Sequence, residues 1–222
     1  MNNIILSIDT SLQGCSVALL VGKNIDYILQ YCSNDHTKKI LPMINEILNR
    51  NKLKLKNIDY IAVSNGPGQF TGIRTGICVA QGLSITMNIP IITFSTLEVL
   101  AEQAWRITSK KKIIIAIRSN KTEIYWGEYI KNPCGTWKKH SKEIILNNQE
   151  ICRKISKFKS IWIKVGNGWN YMHNCSCNQI KQYKSISIPH ARDIITLSIN
   201  WIKKNKLNSI KKVLPNYLYN YV

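Results

Sequence analysis

Residues 59–77 read DYIAVSNGPGQFTGIRTGI. Asp59–Ser64 is a short apolar run of the kind that makes a buried strand. Gly66 and Gly68 permit positive φ and close backbone approach, and Pro67 stiffens the turn between them. From Thr71 the spacing becomes helical and continues to Met87, with Thr71 placed to cap the helix. A strand entering a helix through such a turn is a unit of α/β architecture. The turn also aims helix N–H groups and the positive dipole end at the loop, which is the physics of an anion cradle. It lacks the Lys-Ser/Thr of a P-loop, and Thr71 stands where a dinucleotide fingerprint needs its third glycine. A tight turn without a ligand fits the same residues, and both readings are open.

Working outward, 4–9 (IILSID) reads as a buried strand and Cys15–Val21 as its hairpin partner, with Asn24–Cys32 a third strand. A helix follows over Thr37–Arg50, with Pro42 near its start or kinking it. Ile89–Phe94 reads as a strand. Ser95–Arg106 reads as a helix with Ser95 as N-cap and Glu98 at the capping-box position. After Lys110–Lys112 the pattern restarts. Ile113–Ile117 and Glu123–Ile130 read as strands, 143–146 as a further one, and Asn147–Lys157 as a helix. Ile161–Val165 reads as a strand, Arg192–Lys204 as a helix, and Val213–Val222 as a returning edge element. Strands, helix, strand, helix occur twice, without a textual repeat. The expectation is an α/β chain of two similar mixed sheets, with lobes at 1–105 and 106–222.

Two further features bear on chemistry. Asp9-Thr10-Ser11 ends the first strand with a carboxylate and two hydroxyls, which suits metal-bound phosphate and equally suits a polar turn. With the glycine turn, Asp9, Thr10, Ser11, Gly66, Gly68, Thr71, Gly72 and Arg74 make a candidate phosphate- or nucleotide-like loop. Gly72, Gly76, Ala80 and Ser84 form a small-residue stripe, four apart on one helix face, with Ile73, Ile77 and Leu83 opposite. The stripe packs inside its own lobe or against a partner's helix. Gly166-Asn167-Gly168-Trp169 after a strand is a weaker second turn.

The chain has 222 residues, 31 Lys+Arg and 12 Asp+Glu, for a formal charge of +19. That suggests a polyanion. However, 37 Ile, 23 Asn and 25 Lys are what AT-rich codons produce without selection for binding. The distribution is uneven, net +1 over 1–105 and net +18 over 106–222. Weak, salt-sensitive nucleic-acid binding by the basic second lobe is therefore expected, without sequence discrimination. Trp126, Trp137, Trp162 and Trp169 are core or stacking platforms on this reading. Seven scattered cysteines read as free thiols, since Cys175-x-Cys177 lacks zinc or redox spacing. No apolar stretch reaches the roughly 20 residues of a bilayer span, and MNNIILSIDTS is no secretory signal, so a cytoplasmic chain is expected. The four His show no H-x-x-x-H or H-E-x-x-H, no metal is assigned, and G-x-S-x-G is missing. Glu123 and Glu128, five apart on one strand, face opposite ways and make a poor acid–base pair.

IDTS near the start, HTKKILPMI at 36–44, SNGPGQFTGIRTGI at 64–77, QGLS at 81–84 and STLEVLA at 95–101 resemble the TsaB (YeaZ) family. AIRSNKTEIYWGEY at 116–129 and VGNGW at 165–169 extend the likeness. The resemblance implies a two-lobed actin/hexokinase/Hsp70-like (ASKHA) fold, each lobe a mixed sheet with flanking helices. It implies a non-catalytic subunit for making threonylcarbamoyladenosine beside the tRNA anticodon. Such a subunit pairs through first-lobe helices with a TsaD-like catalytic subunit, joined by a TsaE-like ATPase; whether it forms a homodimer when alone is left open. No cofactor is assigned to the chain itself; ATP or ADP at the complex interface is the open alternative. The interface would use His36, Thr37, Ile40, Leu41, Ile44, Leu48, Ile73, Gly76, Ile77 and Ala80. Two residues depart from the family pattern. Gln69 replaces the usual Ser, and Arg118 replaces the usual Asp, removing a carboxylate that metal–nucleotide chemistry would use. The competing readings are an independent ASKHA-type ATPase or kinase built on Asp9 and the glycine loop, and a glycoprotease-like peptidase.

Overall fold

The computed structural model describes residues 3–158, 160–171, 180–183, 185–205 and 213–218. The chain divides into two units. The first is Met1–Val99 with Pro189–Asn216, and the second is Leu100–Ile188 with Tyr217–Val222.

The first unit is built on a five-stranded mixed sheet. Its strands are β1 (Ile5–Asp9), β2 (Gly14–Val21), β3 (Asn24–Tyr31), β4 (Tyr60–Ser64) and β5 (Ile91–Phe94), in the order β3-β2-β1-β4-β5. The hairpins β1–β2 and β2–β3 are antiparallel, while β4 and β5 run parallel to β1. Helices α1 (His36–Arg50) and α2 (Phe70–Met87) cover one face. Leu6, Ile8, Val17, Leu19, Ile61 and Val63 meet Ile40, Ile44, Ile47, Ile73 and Ile77 there in one buried core. The other face carries small and polar residues and packs on α5 (Ala191–Lys204). Ser7 Oγ donates to Ala191 O at 2.8 Å, and Ala191 N–H donates to Ser16 Oγ at 2.6 Å. Ser16 satisfies an N–H that burial at the helix start would otherwise strand, and the Ala191 carbonyl gives the buried Ser7 hydroxyl an acceptor.

Those bonds correct the expected lobe boundary. α5 packs on the first sheet, not within a lobe spanning 106–222. Local pattern finds the helix but not the sheet that receives it. The charge division changes too: 17 of the 31 basic and five of the 12 acidic residues fall in the second unit. The first unit is therefore basic as well. Val213–Asn216 forms no strand; Asn216 N–H donates to Asn65 O at 2.7 Å, strapping the segment to the glycine turn. Residues 219–222 of the expected edge element, and Cys175 and Cys177, lie outside the described residues.

The second unit repeats the topology. Its strands are β6 (Lys112–Arg118), β7 (Glu123–Lys131), β8 (Trp137–Lys139), β9 (Ile144–Asn147), β10 (Trp162–Val165) and β11 (Ile180–Gln182), with order β11-β10-β6-β7-β8 and β9 also on β7. β6–β7 is antiparallel, whereas β10 and β11 run parallel to β6. Read from the other edge, this matches the first sheet strand for strand. Helix α4 (Asn148–Ile155) precedes β10 as α1 precedes β4. Asn147 caps α4 in a reciprocal box with Glu150. Helix α3 (Thr96–Thr108) contains the unit boundary, and Ser95 Oγ accepts from Leu97 N–H at 3.2 Å as expected of its cap.

Trp126, Trp162 and Trp169 are core, not stacking platforms. Trp137 gives its indole N–H to buried Glu102 at 2.6 Å. Glu102 also pairs with buried Lys131, whose ammonium lies 3.6 Å from the Trp105 ring centroid. Cys15, Cys32, Cys78 and Cys134 are free thiols, and Cys152 is disulfide-bonded, contrary to the all-thiol expectation. No helix of the described residues is long and apolar enough to cross a membrane.

Candidate functional site

The glycine turn and the Asp9-Thr10-Ser11 turn meet, as the sequence expectation requires, because β4 pairs with β1 in parallel. Both turns therefore leave the same end of adjacent strands. The contact is backbone on backbone. A Cβ on Gly68 would lie 2.2 Å from Ser11 O, one on Gly72 2.1 Å from Thr10 O, and one on Gly76 2.5 Å from Thr10 Oγ1. Gly66 has φ of +105°, accepts from Thr96 N–H at 2.8 Å, and is overlain by the backbone of Asn216. The glycines are thus required by close approach and by positive φ.

Polar groups at the junction face one another. Gln69 N–H donates to Ser11 O at 2.8 Å, and Thr10 Oγ1 donates to Gly72 O at 2.7 Å. The start of α2 thereby spends a donor on the neighbouring turn. The expected Thr71 cap is corrected for the same reason. The helix begins at Phe70 with Gln69 at the N-cap, fixed by the Ser11 carbonyl, and Thr71 is exposed.

Asp9 is fully buried. Its Oδ1 accepts from Ser11 N–H at 3.2 Å and its carboxylate from Ser11 Oγ at 3.1 Å. Ser64 is its neighbour on β4, with a hydroxyl contact short of a full hydrogen bond. Burial pushes the Asp9 pKa above the usual carboxylate range, with the Ser64 and Ser11 contacts opposing that rise. Arg74 does not join this cluster. Its guanidinium lies 3.5 Å over the exposed Phe70 ring, on the outer side of α2. So Asp9, Thr10, Ser11, Gly66, Gly68 and Gly72 come together, while Thr71 and Arg74 face away.

The interface residues also divide. His36, Ile40, Ile44, Leu48, Ile73, Gly76, Ile77 and Ala80 are buried in the first unit itself, with His36 Nε2 2.8 Å from Leu12 O. Only Thr37 and Leu41 of the expected set reach the surface. The correction is one of helix face: the apolar stripe of α1 and the small stripe of α2 are each consumed by their own sheet. Sequence reasoning missed the outer row of α2, Thr71, Arg74, Cys78, Gly82 and Ile85. Its signal was a helix face with one ionic residue in a chain of net +19. Ile85 is 69% exposed, and nothing lies within 4 Å of a Cβ built on Gly82.

The second unit's turn packs likewise. A Cβ on Gly166 would lie 2.1 Å from Ala116 O, and Arg118 N–H donates to Asn167 Oδ1 at 2.9 Å. Arg118 Nε donates to Asn120 O at 3.2 Å. Glu128 is buried and accepts from Trp126 Nε1 and Lys154 Nζ, both at 2.7 Å, while Glu123 accepts from Asn120 Nδ2 at 2.7 Å.

Known proteins resemble this chain along its whole length. The family model described as "TsaD: tRNA N6-adenosine threonylcarbamoyltransferase" matches residues 30–187. A "tRNA threonylcarbamoyladenosine biosynthesis protein TsaB" of Buchnera aphidicola subsp. Schizaphis graminum is 43% identical over 195 residues, covering 88% of this chain and 92% of that one. The protein of the same description from Escherichia coli is 31% identical, covering 98% and 95%. Among solved structures, "YeaZ from Pseudomonas aeruginosa" superposes with a TM-score of 0.88 at 29% identity, covering 97% of this chain and all of that one. A polyphosphate/ATP-glucomannokinase from Arthrobacter superposes with a TM-score of 0.51 at 9% identity, covering 89% of this chain and 99% of that one, a likeness of fold alone.

Proposed function

The chain belongs to the TsaB family of tRNA threonylcarbamoyladenosine biosynthesis proteins, and on that premise we propose that it is a non-catalytic subunit. It is required for forming N6-threonylcarbamoyladenosine at the adenosine next to the anticodon. It acts as dimerisation partner and activator of a TsaD-like subunit that transfers the threonylcarbamoyl group from threonylcarbamoyl-AMP. A TsaE-like ATPase and the tRNA join through the complex, in the cytoplasm. We assign no cofactor to this chain; the ATP or ADP of the reaction belongs to the assembled complex.

The observation that carries this reading is the filling of the glycine turn. Thr10 and Ser11 carbonyls occupy the space that Gly68 and Gly72 leave, and the Asp9 side chain is fully buried. The motif serves to bring α2 down onto β1. That packing fixes the outer row of α2, whose low charge and small residues suit close approach by a partner helix. Thr37 and Leu41 of α1 belong to the same docking surface in this proposal.

The test is reconstitution. The chain is co-purified with a candidate TsaD-like protein, and tRNA modification is assayed with each subunit omitted. Omitting this chain abolishes product, and the chain alone turns over no ATP. Steady ATP hydrolysis by the isolated chain, abolished by Asp9→Ala, overturns the non-catalytic reading.

A further inference from the structure

With Trp126, Trp162 and Trp169 in the core, the chain has other aromatic rings at its surface, and three apolar side chains fall in one row. Tyr27, Leu29 and Tyr31 alternate along the edge strand β3 and are 43%, 45% and 64% exposed. Being two residues apart on a strand, they share one face at intervals of about 7 Å. We propose that this row binds unpaired bases of RNA, with Arg192 as its phosphate contact. The proposal rests on the tRNA-modification reading above and gives this chain its own place on the RNA.

Both tyrosines are held in position. The Tyr27 and His190 rings pack in a T-shape, 4.8 Å between centroids, and Tyr31 Oη donates to Gln13 Oε1 at 2.7 Å. A base stacking on them therefore orders little side-chain freedom on binding. The charge beside the row is positive. The Arg192 guanidinium lies 5.3 Å from the Tyr27 ring centroid and makes no ion pair among the described residues. Asp26 is engaged elsewhere, accepting from Asn51 Nδ2 at 2.8 Å. Exposed aromatic rings beside a guanidinium without an ion pair among the described residues supply the two elements of single-strand recognition: stacking without base discrimination, and attraction to phosphate.

The same geometry argues against strand addition, the usual fate of an exposed edge. Tyr27 N–H is spent on Asp26 Oδ1 at 2.8 Å, and Tyr31 O accepts from Lys39 Nζ at 2.8 Å. An added strand would have to displace both. The side-chain row stays available while the backbone edge is blunted.

The test measures fluorescence anisotropy of labelled oligouridylate of about 12 nucleotides, against RNA duplex of equal length, with the isolated full chain. Tyr27→Ala with Tyr31→Ala weakens single-strand binding about tenfold or more and leaves duplex binding within about twofold. Tyr27→Phe with Tyr31→Phe binds as the unmodified chain does, because the rings remain. Arg192→Ala weakens both probes and lowers the salt slope by about one. An Ala pair that unfolds at the unmodified temperature and binds oligouridylate unchanged overturns the proposal. So does an Ala pair whose RNA binding is unchanged while self-association or partner co-elution is lost, since the row would then be a protein interface. Failure of the TsaB reading shows separately, as a modification assay indifferent to this chain while RNA binding persists.

Discussion

Gly72 on α2 and Thr10 after β1 are locked together twice: the Thr10 hydroxyl donates to Gly72 O at 2.7 Å, and the Thr10 carbonyl fills the space where a Gly72 Cβ would be. This relationship turns a sequence motif of ligand-loop type into a packing joint. It sets where α2 lies and hence which of its faces looks outward.

Gly72→Ala places a methyl 2.1 Å from a backbone oxygen that no rotamer change can move. The expected loss is about 3 kcal/mol or more, at the upper end of overpacking costs. Gly82→Ala meets nothing within 4 Å and removes helix-interior glycine. It should stabilise the isolated chain by about 0.5–1 kcal/mol. Thermal unfolding of the two variants should shift in opposite directions.

Ile85→Glu and Leu41→Glu alter exposed positions and should leave folding intact while breaking co-elution with the catalytic partner. Ile44→Glu buries a charge in the first unit's own core and should fail to fold, so it reports nothing about docking. Cys78 supplies an independent readout, being exposed on the same α2 face. It should alkylate in the isolated chain and be protected in the complex. Cys15 should resist labelling in both, since burial and the neighbouring Cys32 push its thiol up to about 12.

Asp9 gives a pH dependence of definite sign. Its folded pKa is raised, so the native state binds the proton more tightly than the unfolded chain. Its contribution is fully favourable below the unfolded value of 3.8 and is lost as pH rises through the folded value. Asp9→Asn keeps an acceptor for Ser11 N–H and gains an amide donor toward Ser64 Oγ. The variant should be more stable than the unmodified chain at neutral pH, with the advantage shrinking toward pH values below 3.8. Unfolding midpoints across that range measure it.

Glu102→Ala leaves Lys131 buried between Trp105 and Trp137 without its carboxylate. The expected cost is about 3–5 kcal/mol. Glu102→Ala combined with Lys131→Met should recover much of it, because the unpaired charge is what destabilises. Denaturant midpoints of the single and double variants decide the matter.

The elements were legible because each carries a local signature. The apolar run of β1, the glycine break before α2, and Ser95 before α3 all act within a few residues. The meeting of Asp9-Thr10-Ser11 with the glycine turn was also within reach, since parallel strands joined through a helix bring their exits together. The short strand β8 was missed because Trp137–Lys139 has too few residues to show alternation.

The sequence by itself determined the α/β class, most of the elements of two mixed sheets and the residues of both glycine turns. Only the tertiary structure decided which face each helix turns inward. Stripes of apolar and small residues look the same whether their own sheet or a partner buries them, because burial depends on what packs opposite. Ile40, Ile44 and Ala80 went to the core, leaving Cys78, Gly82 and Ile85 outside. The same reason governs α5, which two serine contacts on β1 and β2 draw to the first sheet from the far end of the chain.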